Sequence, residues 1–93
     1  MTGPPYELRW SRTARRAIGE RLPEEVATAA AEFITGPLAN NPQRLGKALG
    51  AELTGIYTAR VGRQWRVLYE IDEAGHVVTV LDIRHRAASY RRR

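Results

Sequence analysis

Ninety-three residues, 43% of them hydrophobic and few of them aromatic, are expected to form one domain spanning residues 1–93, too apolar for intrinsic disorder. The absence of cysteine excludes a disulfide framework and a thiolate metal site and points to the reducing cytoplasm, while no apolar run approaches a membrane span and Met1-Thr2-Gly3-Pro4-Pro5 has no signal-peptide character. A net charge of +5 favours a polyanionic partner, either nucleic acid or an acidic protein.

Tyr6-Glu7-Leu8-Arg9-Trp10 alternates apolar and charged residues, the pattern of a half-buried strand. Ser11 caps a helix beginning at Arg12, with Ala14, Ala17, Ile18 and Leu22 on one face. Pro23 suits the first position of a second helix, Glu24 and Glu25 favour the positive end of its dipole, and Gly36-Pro37 is expected to stop it. Its buried stripe reads Val26, Ala29, Ala30, Phe33 and Ile34. Leu38 to Gly46 reads as a loop around Asn40-Asn41-Pro42, and Lys47 to Gly55 as at most a short turn of helix. Three strands follow, broken at Gly62-Arg63-Gln64 and at Asp72-Glu73-Ala74-Gly75. The expected fold is α+β with order β-α-α-β-β-β: a small, mainly antiparallel sheet packed on two N-terminal helices, with a short basic C-terminal tail.

Arginines lie on these strands rather than scattered over the surface. If the first hairpin closes through Val61 and Trp65, Arg60 and Arg66 stand opposite each other, at a cost of a few tenths to about 1 kcal/mol. A bridging phosphate would relieve that repulsion, since arginine suits bidentate phosphate contacts; alternatively both side chains project into water. Tyr57, Ala59, Val61, Trp65, Val67, Tyr69 and Ile71 mark the opposite, core face. Whether Arg84 joins the arginine face depends on the second hairpin's register, which pattern leaves open. Fourteen of the fifteen basic residues are arginine, a ratio that GC-rich codon usage also explains.

Most chemistries fall away. Gly46-Lys47-Ala48 lacks the upstream glycine and the hydroxyl of a phosphate-binding P-loop. His76 and His85 are separated by roughly 30 Å if joined by one strand, too far for an acid–base pair or a shared metal. Glu70, Asp72, Glu73 and His76 read as solvated turn residues, not a metal site, and no cofactor is expected. Ser11 is a cap and Ser89 has no neighbouring base. Arginine plus tyrosine suffice for RNA cleavage, because the substrate supplies its own 2′-hydroxyl nucleophile. A tyrosine serves as base only if perturbed, since about one part in a thousand is ionised at neutral pH.

Three stretches carry a family resemblance: Arg44-Leu45-Gly46-Lys47-Ala48-Leu49 with Gly55 ahead of the strand, Trp65-Arg66-Val67-Leu68-Tyr69-Glu70-Ile71, and Ile83-Arg84-His85-Arg86 followed by Tyr90. Together they resemble RelE-type toxins of the RelE/ParE toxin–antitoxin superfamily. The resemblance implies a metal-independent endoribonuclease that cuts messenger RNA in the A site of the 70S ribosome. It also implies a RelB-like antitoxin partner, with operator DNA contacted only through the antitoxin complex. By position, Arg66 would hold the scissile phosphate, Arg84 or Arg86 would stabilise developing charge, and Tyr90 would be general base or stacking platform. Lys47, Arg60, Arg63 and His85 would contact RNA, and His85 is also a candidate proton donor. Thr58 stands where the best-studied branch often has lysine, so a charge is missing there. Two other functions remain: a ParE-like inhibitor of DNA gyrase without nuclease activity, and a non-catalytic basic nucleic-acid-binding module.

Overall fold

The computed structural model describes residues 3–50 and 55–89. Strand β1 (Glu7–Trp10) leads into α1 (Arg12–Arg16), which continues as a wider π-helical turn over Ala17–Arg21. Helix α2 (Glu24–Phe33) is likewise prolonged by a π turn, Ile34–Leu38, and α3 (Pro42–Leu45) follows. The sheet is completed by β2 (Lys47–Ala48), β3 (Ile56–Val61), β4 (Trp65–Asp72) and β5 (Val77–His85), and α4 covers Arg86–Ser89. Strand order is β1-β5-β4-β3-β2, antiparallel except for the β1–β5 pair. The expected α+β architecture is present, with one more strand than the six-element order contained.

Ser11 begins α1 as expected: its backbone is extended and its Oγ accepts from the Ala14 N–H at 3.0 Å. The same hydroxyl donates to Leu81 O at 2.7 Å and the Ser11 N–H to Val80 O at 2.9 Å. One residue therefore caps a helix and blocks the part of β5 that runs past the end of β1.

The second helix corrects three expectations. Pro23 precedes its first residue as the N-cap. Gly36-Pro37 does not stop the helix, which continues to Leu38. Proline is tolerated because the widened π turn spares the interior clash and needs no amide hydrogen at that position. Burial of Ile34 and Leu38, both with no solvent exposure, supplies about 1.5–3 kcal/mol each toward holding the distorted turn. Of the forecast stripe, Ala30 and Ile34 are buried, Val26 and Phe33 pack half-buried on the core, and Ala29 faces solvent while Ala27 takes the inner position.

Leu38 to Gly46 is not a plain loop, since Leu38 is core and Pro42–Leu45 is helical. Lys47 starts no helical turn either. Lys47–Ala48 is an edge strand paired with β3, Lys47 opposite Thr58 and Ala48 opposite Tyr57. Weak local propensity yields there to ladder hydrogen bonds. The core face of the sheet holds Ala59, Val61, Val67, Tyr69, Ile71, Val78, Val80 and Ile83, packed against Ala14, Ala17, Leu22, Ala30, Ile34 and Leu38. Tyr57 and Trp65, also forecast there, are partly buried against that cluster.

Candidate functional site: an arginine row on the open face of the sheet

In the β3–β4 hairpin Val61 pairs with Trp65 and Arg60 with Arg66, as the pattern predicted. The β4–β5 ladder then sets Arg84 opposite Arg66. Three arginines thus cross adjacent strands in one row on the face away from the core, about 5 Å from one strand to the next. Arg60 is exposed, and Arg66 and Arg84 are half-buried.

Arg84 reaches this row because of a β-bulge. Leu68 pairs with Asp82 but Tyr69 with Val80, which leaves Leu81 as the extra residue of β5. Val78, Val80 and Ile83 all stay in the core across it. In an unbulged ladder a one-residue slip would turn Ile83 outward and Arg84 inward.

Next to the arginine row runs a second one, Lys47, Thr58, Leu68 and Asp82. Arg44, Leu45, Gly46, Lys47, Thr58, Ala59, Arg60 and Arg66 line an open cleft of about 490 Å³. Its position depends on Gly46. A Cβ there would meet the Tyr69 hydroxyl and lie 2.7 Å from Thr58 O. The bare backbone lets the chain pass over both and seats Lys47 against Thr58. Below it, the Tyr69 hydroxyl donates to Pro42 O at 2.6 Å and ties α3 to the sheet. Burial, with a smaller push from Tyr57, raises the Tyr69 pKa and keeps the phenol protonated.

Asp82 modifies the row. Its carboxylate accepts from Arg84 Nε at 2.7 Å and from Arg21 Nη2 at 2.9 Å, and its side chain is only 13% exposed. Part of the charge of Arg84 is thereby balanced within the protein. Sequence reasoning missed Asp82 and Arg21, and treated Arg44 only as part of a motif. The signal available was one carboxylate among the basic residues of the last strand.

Arg63, His85 and Arg86 gather at the end of the row. Arg63 is in the β3–β4 turn, where Gly62 has φ +66°. His85 pairs with Trp65, meets its ring edge-on at 5.3 Å, and accepts the Ala87 N–H on Nδ1 at 3.2 Å. Its geometry is that of a cap on α4. The exposed Arg86 donates its backbone N–H to Gln64 O at 2.6 Å. Tyr90 and the three arginines after it lie outside the described residues. The acidic turn is more than a solvated loop: Tyr6 stacks on His76 at 3.8 Å and donates to Glu73, and His76 Nε2 is 2.9 Å from Pro4 O. No group of three or more metal-ligating side chains occurs among the described residues. Among these residues no helix is long and apolar enough to cross a membrane.

Comparison with known proteins bears on the family and the fold. The family described as "ParE toxin of type II toxin-antitoxin system, parDE" matches residues 6–90. Toxin RelE of Mycobacterium tuberculosis is 48% identical over 87 residues, covering 94% of this chain and 88% of that protein. The chain belongs to the RelE/ParE toxin family. Toxin RelG of the same organism is 43% identical over 88 residues, covering 95% of this chain and 99% of that toxin. A chain of the M. tuberculosis toxin–antitoxin complex RelBE2 superposes with a TM-score of 0.80 at 42% identity, over 89% of this chain and 93% of that one. Together these matches make it a RelE-type toxin of a type II system.

Proposed function

We propose that this RelE-type toxin is a ribosome-dependent endoribonuclease that cuts messenger RNA in the A site and stops translation in the cytoplasm. The observation that carries the reading is the arginine row: Arg60, Arg66 and Arg84 are successive partners across three strands, on a face the core does not use. Like charges so placed repel, and a phosphate lying across them converts repulsion into binding. Arg66, in the middle, holds the scissile phosphate, while the terminal nitrogens of Arg84, with Arg86, stabilise charge developing on it. The substrate's 2′-hydroxyl attacks the phosphorus, so no metal-generated hydroxide is required. Tyr90, four residues beyond Arg86, takes the hydroxyl proton, its phenolate favoured by the arginines close to it in sequence. Arg63 and His85 contact the RNA beside the reacting centre. A RelB-like antitoxin covers the toxin and holds it inactive, as the RelBE2 complex suggests, and operator DNA is bound only through that complex.

Arg66→Ala is expected to abolish growth arrest and A-site cuts in ribosome footprints, with antitoxin binding intact. A variant that stays fully toxic removes the centre of the nuclease reading. Gyrase inhibition is the second reading, favoured by the ParE description of the family match. Its signature is DNA damage on induction without A-site cuts.

A further inference from the structure

Helix α3 is too short to hold itself in place. It has four residues, Asn41 gives it no side-chain cap, and only Pro42 in it is buried. The Arg44 and Leu45 N–H groups share one acceptor, Asn41 O, at 3.2 Å each. A helix of this length is marginal without outside contacts. Yet Arg44 and Leu45, with the Gly46-Lys47 that follow, line the cleft beside the arginine row.

Two phenols supply the outside contacts, at successive residues. Tyr69 donates to Pro42 O at 2.6 Å. The Tyr6 hydroxyl accepts from Gln43 Nε2 at 2.8 Å and donates to Glu73 Oε1 at 3.2 Å. Gln43 Nε2 also donates to Glu73 Oε2, which closes a triangle between the start of β1, α3 and the β4–β5 turn. Each of these bonds is exposed and weak alone, but they share atoms and so hold or fail together. Tyr6 is itself held firmly. Its N–H bonds Ala39 O at 2.9 Å, and its ring stacks on His76 with centroids 3.8 Å apart. His76 has φ +59°, uncommon for a residue with a side chain, and its Nε2 is 2.9 Å from Pro4 O. Glycine would make that turn more cheaply, whereas histidine adds the ring on which Tyr6 rests.

We infer that Tyr6, Gln43 and Glu73 are positioning residues, a clasp that holds α3 and so sets the Arg44–Lys47 side of the cleft. The clasp acts from a distance, since Arg66 and Asp72, near the two ends of β4, are roughly 20 Å apart. What the cleft does rests on the nuclease reading above; where α3 sits does not.

The decisive experiment exchanges the two partners of the clasp. Gln43→Glu sets two carboxylates against each other and should open it. Adding Glu73→Gln restores an amide facing a carboxylate, in reversed order. In hydrogen exchange, Gln43→Glu should speed the Arg44 and Leu45 amides at least about fivefold, the net worth of one hydrogen bond read through local opening. Amides of β4 and β5 should stay as protected as in wild type. In single-turnover cleavage on programmed ribosomes at saturating toxin, where affinity no longer counts, the variant should be slower on the order of tenfold. That lies within the roughly 10²-fold that a misplacement of about 1 Å can cost. The double variant should recover both readouts. Tyr6→Phe, which keeps the ring stack and loses the hydroxyl, should loosen α3 and slow cleavage in the same direction. Unchanged exchange at Arg44 and Leu45 overturns the clasp, as does a double variant in which either readout stays unrecovered. A loosened α3 with wild-type cleavage overturns the positioning role. Wild-type toxin that cuts no messenger overturns the nuclease reading instead, while hydrogen exchange still reports on the clasp.

Discussion

A methyl group at position 46 has no room. Gly46 is extended, with φ −126° and ψ −177°, so its requirement is space rather than backbone freedom. The neighbours a Cβ would strike are the Thr58 carbonyl and a buried phenol already held by Pro42. Neither yields cheaply. Gly46→Ala is therefore expected to destabilise the protein by about 1–3 kcal/mol, the usual penalty for overpacking, read as a lower thermal midpoint. It should also lower activity, because Lys47 follows directly. An unchanged midpoint would mean that α3 can shift away from the sheet. Tyr69 offers a second test at this scale. Its pKa is raised in the fold, so above about pH 10 the unfolded chain loses this proton while the folded chain retains it. The stabilisation from neutral Tyr69 is complete below that pH and declines as pH rises. Urea midpoints measured from neutral to alkaline pH should fall less steeply in Tyr69→Phe than in wild type, whatever the offset between them.

At the scale of elements, β5 and its bulge organise the site. The extra residue, Leu81, lets Val78, Val80 and Ile83 remain in the core while Arg84 joins the outer row. Beyond Trp10, where β1 ends, Ser11 and Arg21 take over the exposed edge: Ser11 Oγ bonds Leu81 O, and Arg21 reaches Ile83 O at 3.4 Å. Asp82 anchors both Arg21 and Arg84 from this segment. Asp82→Asn keeps the shape but removes the charge facing both guanidinium groups. A loss of about 1–2 kcal/mol is expected, between exposed ion pairs and buried charge-assisted hydrogen bonds. Urea denaturation at low and high salt measures it, and the loss should shrink as salt screens the pair. A variant as stable as wild type at low salt would show that the segment is held by Ser11 and packing alone.

For the whole molecule, the arrangement is one-sided. The core and helices occupy one face of the sheet, and the basic row occupies the other. On the proposed nuclease function, attraction to RNA should fall with salt through counterion release, with a logarithmic slope near −0.7 for each phosphate neutralised on a single strand. Affinity for ribosomes is expected to drop steeply from low to physiological ionic strength. Antitoxin binding should persist better if that partner also buries apolar surface, and among the described residues Leu45, which lines the cleft, and Leu49 are exposed large hydrophobics. Parallel binding measurements across the salt range check this, and a salt-insensitive ribosome interaction would make the basic face incidental.

The sequence by itself determined what local chemistry controls. Alternation at Tyr57–Ile71 assigned the core face and put Arg60 and Arg66 on the other one, opposite each other given a hairpin closed through Val61 and Trp65, and Ser11 announced a helix start. These readings held because strand period and capping depend on neighbours along the chain. The family motifs were legible for the same reason, being contiguous stretches. Only the tertiary structure decided the rest. It turned Lys47–Ala48 into a strand by offering β3 as partner, and carried α2 through Gly36-Pro37 by offering Leu38 a place in the core. It also brought Arg84 to Arg66 through the bulge at Leu81, and Asp82 to Arg21 across 61 positions of chain. Ladder register and long-range pairing are settled by which surfaces meet, and a bulge alters that meeting by a single residue that no periodicity marks.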